Sequence, residues 1–213
     1  MTKNDLKIIQ EIGKGKSGVS FLAASQQGLV VFKEMHDEPV VYYQFSKNKV
    51  ELEIDAYHIL SKLQINIPKL ISYSIDENYL IKEYIDGELI TKKQQIAPIE
   101  KELFFELLRL EERMKNARIN IDYFPANFVL KENKLFYIDY EHNPYSDEWN
   151  FTNWGIYYWL NCKGMTDYLR TGDIKFINTD FSSGKPTITD VMLKEREKIL
   201  TEFYQIQLKR SSS

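Results

Sequence analysis

Cysteine is nearly missing from this 213-residue sequence. The single Cys162 excludes an intrachain disulfide framework and fits a reducing compartment. No partnered motif surrounds it, so it reads as a structural or idle thiol rather than a nucleophile. Long hydrophobic runs are lacking too: none approaches the roughly 20 residues that span a bilayer. The opening "MTKNDLKII" has no basic stretch leading into an apolar core, so no secretory signal is expected and the expected location is cytoplasmic. A formal charge of −3 gives no sign of a broad basic surface, and no nucleic-acid partner is expected. Internal repeats and low-complexity segments are absent, and the tail "LKRSSS" is expected to fray.

What is present is an ordinary globular balance, 43% hydrophobic against 28% charged, rich in Tyr and Phe. The first part reads as strands: "LKIIQEI", "VSFLAAS" and "LVVFKEM", with "QQG" turning between the last two. Residues 47–64 read as a helix on a Val50, Ile54, Tyr57, Leu60 stripe, stopped by "INIP" because Pro68 restricts the residue before it. "KLISYSI" and "NYLIKEYI" form a hairpin across "DEN". "DGE" then marks a linker, dividing the chain into residues 1–85 and 86–213. Beyond it, residues 98–116 predict a helix starting at Pro98, with Leu103, Leu107, Leu108 and Leu110 on a buried face. "NFVL" and "LFYIDY" predict short strands joined by "KEN", and two helical blocks follow at 150–162 and 190–208. Strands first and helices later predict an α+β chain of two lobes.

"GKGKSGV" at 13–19 admits three phosphate-binding readings. A P-loop requires glycine five residues before Gly15, where Gln10 stands, so that reading fails. A dinucleotide fingerprint requires a helix after the glycines, but "VSFLAASQQGLVVF" has hairpin chemistry. The third reading is a glycine turn closing over nucleotide phosphates, formed by Gly13, Gly15 and Gly18 with Val19 after them. It calls for a fixed cation on a neighbouring strand, and Lys33 ends "VVFK".

The residues that phosphoryl transfer needs then follow in order. Glu53 lies 20 residues after Lys33 on the predicted helix, where an ion pair could hold the lysine. Glu51 is its rival, and Glu53 is preferred because Tyr57 continues the packed stripe. "NIDYFPANFVL" offers Asp122 to orient and deprotonate a hydroxyl, and Asn127 five residues on. Asp139, in "FYIDYE", supplies a second carboxylate. Asn127 and Asp139 are oxygen donors of the type that Mg²⁺ prefers.

With these five motifs in register over residues 8–160, the chain resembles the protein-kinase-like superfamily. The resemblance implies a two-lobed kinase fold with ATP and Mg²⁺ as cofactors. It places Glu83 to Ile85 against the adenine, Val19 and Val31 above the base, and Val129 beneath it. Core packing explains those valines equally well. Asn120-Ile121-Asp122 replaces the His-Arg-Asp of eukaryotic protein kinases, so control by a phosphorylated loop is not expected. Asp139-Tyr140-Glu141 and the following "NPY" look like aminoglycoside and choline phosphotransferases. The short linker-to-Asp122 interval, enough for a single helix, leaves little material for a metabolite pocket and favours Ser/Thr of a protein as acceptor. A small-molecule phosphotransferase and a pseudokinase binding module are the alternatives. Asn150 falls near where many relatives have an aspartate that supports the catalytic loop. The aromatic patch "EWNFTNWGIYYW" reads as the centre of the helical lobe, or else as a cation–π cage through Trp154 or Trp159.

Overall fold

The computed structural model describes residues 1–15, 17–36, 48–180 and 182–211. Lys16 of the glycine stretch, Lys47, the first residue of the expected helix, and the last two serines of the tail lie outside the described residues. The fold is α+β, with an N-terminal antiparallel sheet plus a helix and a predominantly helical C-terminal part. The chain divides into two compact units: Met1–Asp86 with Phe136–Glu141, and Gly87–Leu135 with His142–Ser213.

In the first unit the strands are β1 (Lys7–Lys14), β2 (Gly18–Ser25), β3 (Gly28–Met35), β4 (Leu70–Ser74) and β5 (Tyr79–Glu83). They form one antiparallel sheet in the order β1-β2-β3-β5-β4. Alternation gives it two apolar faces. Ala23, Val30, Phe32, Tyr79 and Ile81 pack on one, partly covered by Met1, Leu6 and Phe21. On the other, Met35 and Leu80 pack with Tyr140 and with Val50 and Ala56 of helix α1 (Lys49–Lys62). Asn48 caps α1 by accepting from the Val50 amide at 2.8 Å. The helix stops at Lys62, well before Pro68. Gln64 takes φ +55° there, its amide donates to the Ser61 carbonyl, and Ile65 donates to the Leu60 carbonyl. That is a Schellman closure with Gln where Gly is commonest, so the stop is local and does not depend on proline.

The second unit contains β6 (Glu88–Leu89), α2 (Ile90–Ile96), α3 (Lys101–Asn116), β7 (Ile119–Asn120), β8 (Phe128–Lys131), β9 (Lys134–Tyr137), β10 (Asn143–Pro144), α4 (Ile156–Leu160), α5 (Cys162–Thr171) and α6 (Asp190–Ser211). The last residues of β9 lead into the Phe136–Glu141 segment of the first unit. Two small sheets form, β6-β8-β9 and β10-β7. The β8–β9 turn works through Glu132 and Asn133, both at positive φ.

Several elements differ from the sequence expectation. Helix α2 was not foreseen, because "ITKKQQI" carries too few apolar residues to show a stripe. It buries Ile90 and is anchored further by Gln94, whose side-chain amide donates to the Tyr158 and Trp159 carbonyls. Helix α3 begins at Lys101 and not at Pro98, and it also buries Phe104, Phe105 and Met114 beyond the predicted leucines. The block at 150–162 opens as a π-helical turn, Phe151–Gly155, before α4. Asn150 and Glu111 hold that turn by accepting from the Asn153 and Thr152 amides. Helix α5 lies between the helical blocks expected at 150–162 and 190–208 and was not foreseen; it is closed by Gly172 at φ +74°. The tail residues 208–211 belong to α6 and are not frayed. Trp159 is fully buried, with its indole N–H donating to the Tyr123 carbonyl, and so belongs to the core. Trp154 is half-buried and donates to the Gly184 carbonyl.

The three glycines of the β1–β2 turn do different jobs in packing. A Cβ on Gly18 would meet the Glu34 carbonyl and the Met35 Cα of β3, whereas one on Gly13 or Gly15 would meet nothing within 4 Å. In chemical denaturation, Gly18→Ala is expected to lose about 1–3 kcal/mol by overpacking against backbone. Gly13→Ala and Gly15→Ala are expected to stay within about 0.5 kcal/mol of the wild type.

Candidate functional site

Strand register places the first group of side chains. Lys33 lies opposite Leu80 and Val31 lies opposite Lys82, so all four project from the sheet face that α1 covers. Glu53 belongs to the buried stripe of α1 with Val50, Ala56 and Leu60, while Glu51 is exposed. Lys33 and Glu53 form a buried salt bridge, Nζ to Oε1. Glu53, and not Glu51, is therefore the acid paired with the strand lysine. Asp139 joins the pair from the 136–141 segment, its Oδ1 3.4 Å from Lys33 Nζ. The same oxygen accepts from the Tyr140 amide at 3.0 Å.

The glycine turn reaches this group through Ser17, whose hydroxyl donates to Glu53 Oε1 at 3.3 Å. Within the turn the Gly15 amide donates to the Gly18 carbonyl at 2.9 Å. His36 Nε2 lies 3.2 Å from the Gly15 carbonyl. Gly13 and Gly15 are exposed and Gly18 is buried. Val19 is half-buried at the start of β2 and Val31 is buried in β3. Glu83 closes β5, its carboxylate accepting from the Lys69 amide at 3.1 Å, and Ile85 is buried just beyond.

Lys82 escaped sequence reading. It is 5% exposed; its ammonium donates to the Ile138 carbonyl at 2.6 Å and lies 4.6 Å from the centre of the Tyr140 ring. The signal was available: strand alternation puts Lys82 on the same face as the buried Leu80. A lysine in such a register is unusual unless its charge is used. The face thus carries two ammonium groups and two carboxylates. Burial works to lower the pKa of Lys33, but the charges of Glu53 and Asp139 outweigh it and hold Lys33 above the usual lysine value. Burial pushes Glu53 up, against the pull of Lys33. Lys82 is pushed down to about 8, by burial first and then by the Lys33 charge. Glu53 Oε2 is buried and has no hydrogen-bond partner among the described residues.

Asp122 and Asn127 form a separate set within the second unit. Asp122 follows β7, and its Oδ1 accepts from the Phe124 amide at 3.0 Å, bending the chain into the 3₁₀ turn Pro125–Asn127. Asn127 ends that turn, and its side-chain amide donates to the Asp122 carbonyl at 3.3 Å. Both residues are half-buried, and Val129 is buried in β8, which follows directly. Asn120 ties the start of the loop to the Ser146 carbonyl at 2.9 Å. Burial, with the Asp122 charge adding to it, raises the Tyr158 hydroxyl well above the usual tyrosine range. Asn150 directs its side chain to Asn153 and to the Tyr145 hydroxyl.

No helix among the described residues is long and apolar enough to cross a membrane. No protein-family model matches the chain, and no curated protein sequence matches it. The resemblance therefore rests on architecture and on one interaction. A sheet-plus-helix unit, a helical unit and the Lys33–Glu53 salt bridge together resemble the protein-kinase-like fold and its catalytic lysine–glutamate dyad.

The depressed Lys82 gives a stability signature with a defined sign. Below pH 8 folding must bury a charged ammonium. Between the folded value near 8 and the unfolded value near 10.5 the unfolded chain binds more protons, so stability rises with pH. Between pH 8 and pH 10 this contributes on the order of 2 kcal/mol. Urea unfolding across that range is expected to show the rise in wild type and to lack it in Lys82→Met.

Proposed function

We propose that this chain is a phosphotransferase of the protein-kinase-like type, moving the γ-phosphoryl group of ATP to a hydroxyl acceptor with Mg²⁺. The observation that carries the reading is the buried Lys33–Glu53 salt bridge with Asp139 beside it. A lysine held away from water by two carboxylates is a costly way to build a core. It is a good way to keep one cation at a fixed position for phosphate oxygens.

In this reading Lys33 meets the phosphates and Glu53 holds Lys33 in place. Gly13, Gly15 and Gly18 form the turn over the phosphates, and the backbone at the first two has no protein atom crowding its Cβ side within 4 Å. Val19, Val31 and Val129 enclose the base, with the Glu83–Ile85 backbone as its hydrogen-bonding edge. Asp139 and Asn127 would hold Mg²⁺. Among the described residues no three His, Cys, Asp or Glu side chains cluster as a metal cage of their own. That fits an ion which typically takes one or two protein oxygens and completes its shell with phosphate and water. Bound there, Mg²⁺ would neutralise charge on the transferring group. Asp122 orients the acceptor hydroxyl and accepts its proton as the oxygen bonds to phosphorus and the bond to the ADP oxygen breaks. Residues 1–85 and 86–213 act as the two lobes of one kinase domain.

For the acceptor, Ser/Thr of a protein is favoured. Only α2 and α3 separate β6 from the Asp122 loop, which leaves little chain for a dedicated metabolite pocket. Transfer to choline, an aminoglycoside or a sugar, with none to protein, would instead identify a small-molecule phosphotransferase. The discriminating assay is labelled phosphate transfer from ATP into cell extract, separated by molecular size. Wild type is expected to turn over ATP only with Mg²⁺, and Asp122→Ala or Asp139→Ala to lose about 10²-fold or more. Absence of turnover together with absence of Mg·ATP binding would identify a pseudokinase-like binding module.

A further inference from the structure

Among the described residues, Lys82 is the one strongly buried charge on the Lys33 face that the proposed reaction leaves without a task. An apolar side chain of similar length would fill the same volume without burying an ammonium, so packing does not account for it. Its contacts do. The ammonium donates to the Ile138 carbonyl at 2.6 Å and lies 4.6 Å from the centre of the Tyr140 ring. Those two groups flank Asp139 on either side. The Tyr140 hydroxyl is bound in turn to the Pro68 carbonyl, and its amide donates to Asp139 Oδ1 at 3.0 Å. On the approach to the segment, the Tyr137 amide donates to the Asn66 carbonyl at 2.9 Å and its hydroxyl to the Glu141 carbonyl at 3.2 Å. Lys82 is therefore the element from the sheet that grips the short stretch presenting Asp139, and it grips both neighbours of that residue at once. Its own place is fixed by pairing with Val31 on one side and Leu70 on the other.

We propose that Lys82 is a positioning residue for Asp139: its ammonium holds the Ile138 carbonyl and the Tyr140 ring, and so sets the direction in which the Asp139 carboxylate is presented. The inference rests on the phosphotransferase reading for its catalytic consequence, and on the contacts alone for its structural one. In this role the residue acts through the Ile138–Tyr140 stretch and not on the transferring group itself. Its loss therefore lowers the rate of transfer and raises the Mg²⁺ requirement, while leaving ATP affinity close to unchanged.

The test compares wild type with Lys82→Met by steady-state kinetics at varied ATP and Mg²⁺ and by NMR-detected amide hydrogen exchange. The expected result is a 10–100-fold fall in kcat, a similar rise in the Mg²⁺ needed for half-maximal rate, and a KM for ATP within about threefold. The Tyr140 amide is expected to exchange at least about tenfold faster, with the Phe32 and Ile81 amides unchanged. Lys82→Gln, which keeps a donor but no charge, carries the same readouts should the methionine variant not fold. A folded variant with wild-type kcat and Mg²⁺ requirement overturns the inference. If wild type itself neither binds nor turns over Mg·ATP, the phosphotransferase reading falls. The exchange measurement then decides whether Lys82 holds the Asp139 segment, and an unchanged Tyr140 amide overturns that too.

Discussion

The salt bridge between Lys33 and Glu53 is the constraint to which the rest of the first unit answers. A buried ion pair is weak evidence of stabilisation, because desolvation offsets most of the attraction. Breaking one by removing a single partner is another matter, since the orphaned charge costs about 3–5 kcal/mol. The pair therefore works less as a stabiliser than as a register lock. It requires Lys33 to sit on the helix-covered face of β3 and α1 to present Glu53 toward the sheet, and a one-residue slip of either would bury an unpaired charge.

Around that lock the charges come close to balance. Lys33 and Lys82 supply two ammonium groups, and Glu53 and Asp139 two carboxylates. The roles are unequal. Lys33 is held charged by the two acids, whereas Lys82 has a backbone carbonyl and an aromatic face as its neighbours and gives up its proton more readily. One cation is thus fixed and the other is bound to the backbone that carries Asp139. Lys33 of β3 thus shares a face with Asp139, 106 residues downstream, a separation of the kind that makes contacts slow to form and hard to read locally.

That distance explains what the sequence disclosed. The sheet strands, α1 and the β8–β9 turn were legible because their signals are local: alternation, an i to i+7 stripe, and residues that tolerate positive φ. Lys33 and Glu53 were legible as a pair because each sat on a recognisable element. Lys82 was passed over because a charged residue in a strand looks solvated, although its alternation with Leu80 puts it on the buried face. Helix α2 was missed because its buried residues are one isoleucine, Ile90, with the polar Thr91 and Gln94, which leaves no apolar period. The π-helical turn before α4 was likewise invisible, since Glu111 reaches Thr152 from 41 residues upstream. The end of α1 was assigned to proline when the left-handed Gln64 provides it. Asp122 and Asn127 were singled out as candidates from their spacing, and both lie in a tight turn that such short polar side chains favour.

The central claim is that the buried lysine–glutamate pair exists to hold a cation for nucleotide phosphates. Its most direct test is titration calorimetry of ATP with and without Mg²⁺, on wild type and on the double variant Lys33→Met/Glu53→Gln, which removes both charges and leaves no orphan behind. The account predicts saturable, Mg²⁺-dependent binding to wild type and at least about a tenfold weaker affinity in the double variant. Equal affinity in the two proteins, or no binding to the folded wild type, would contradict it.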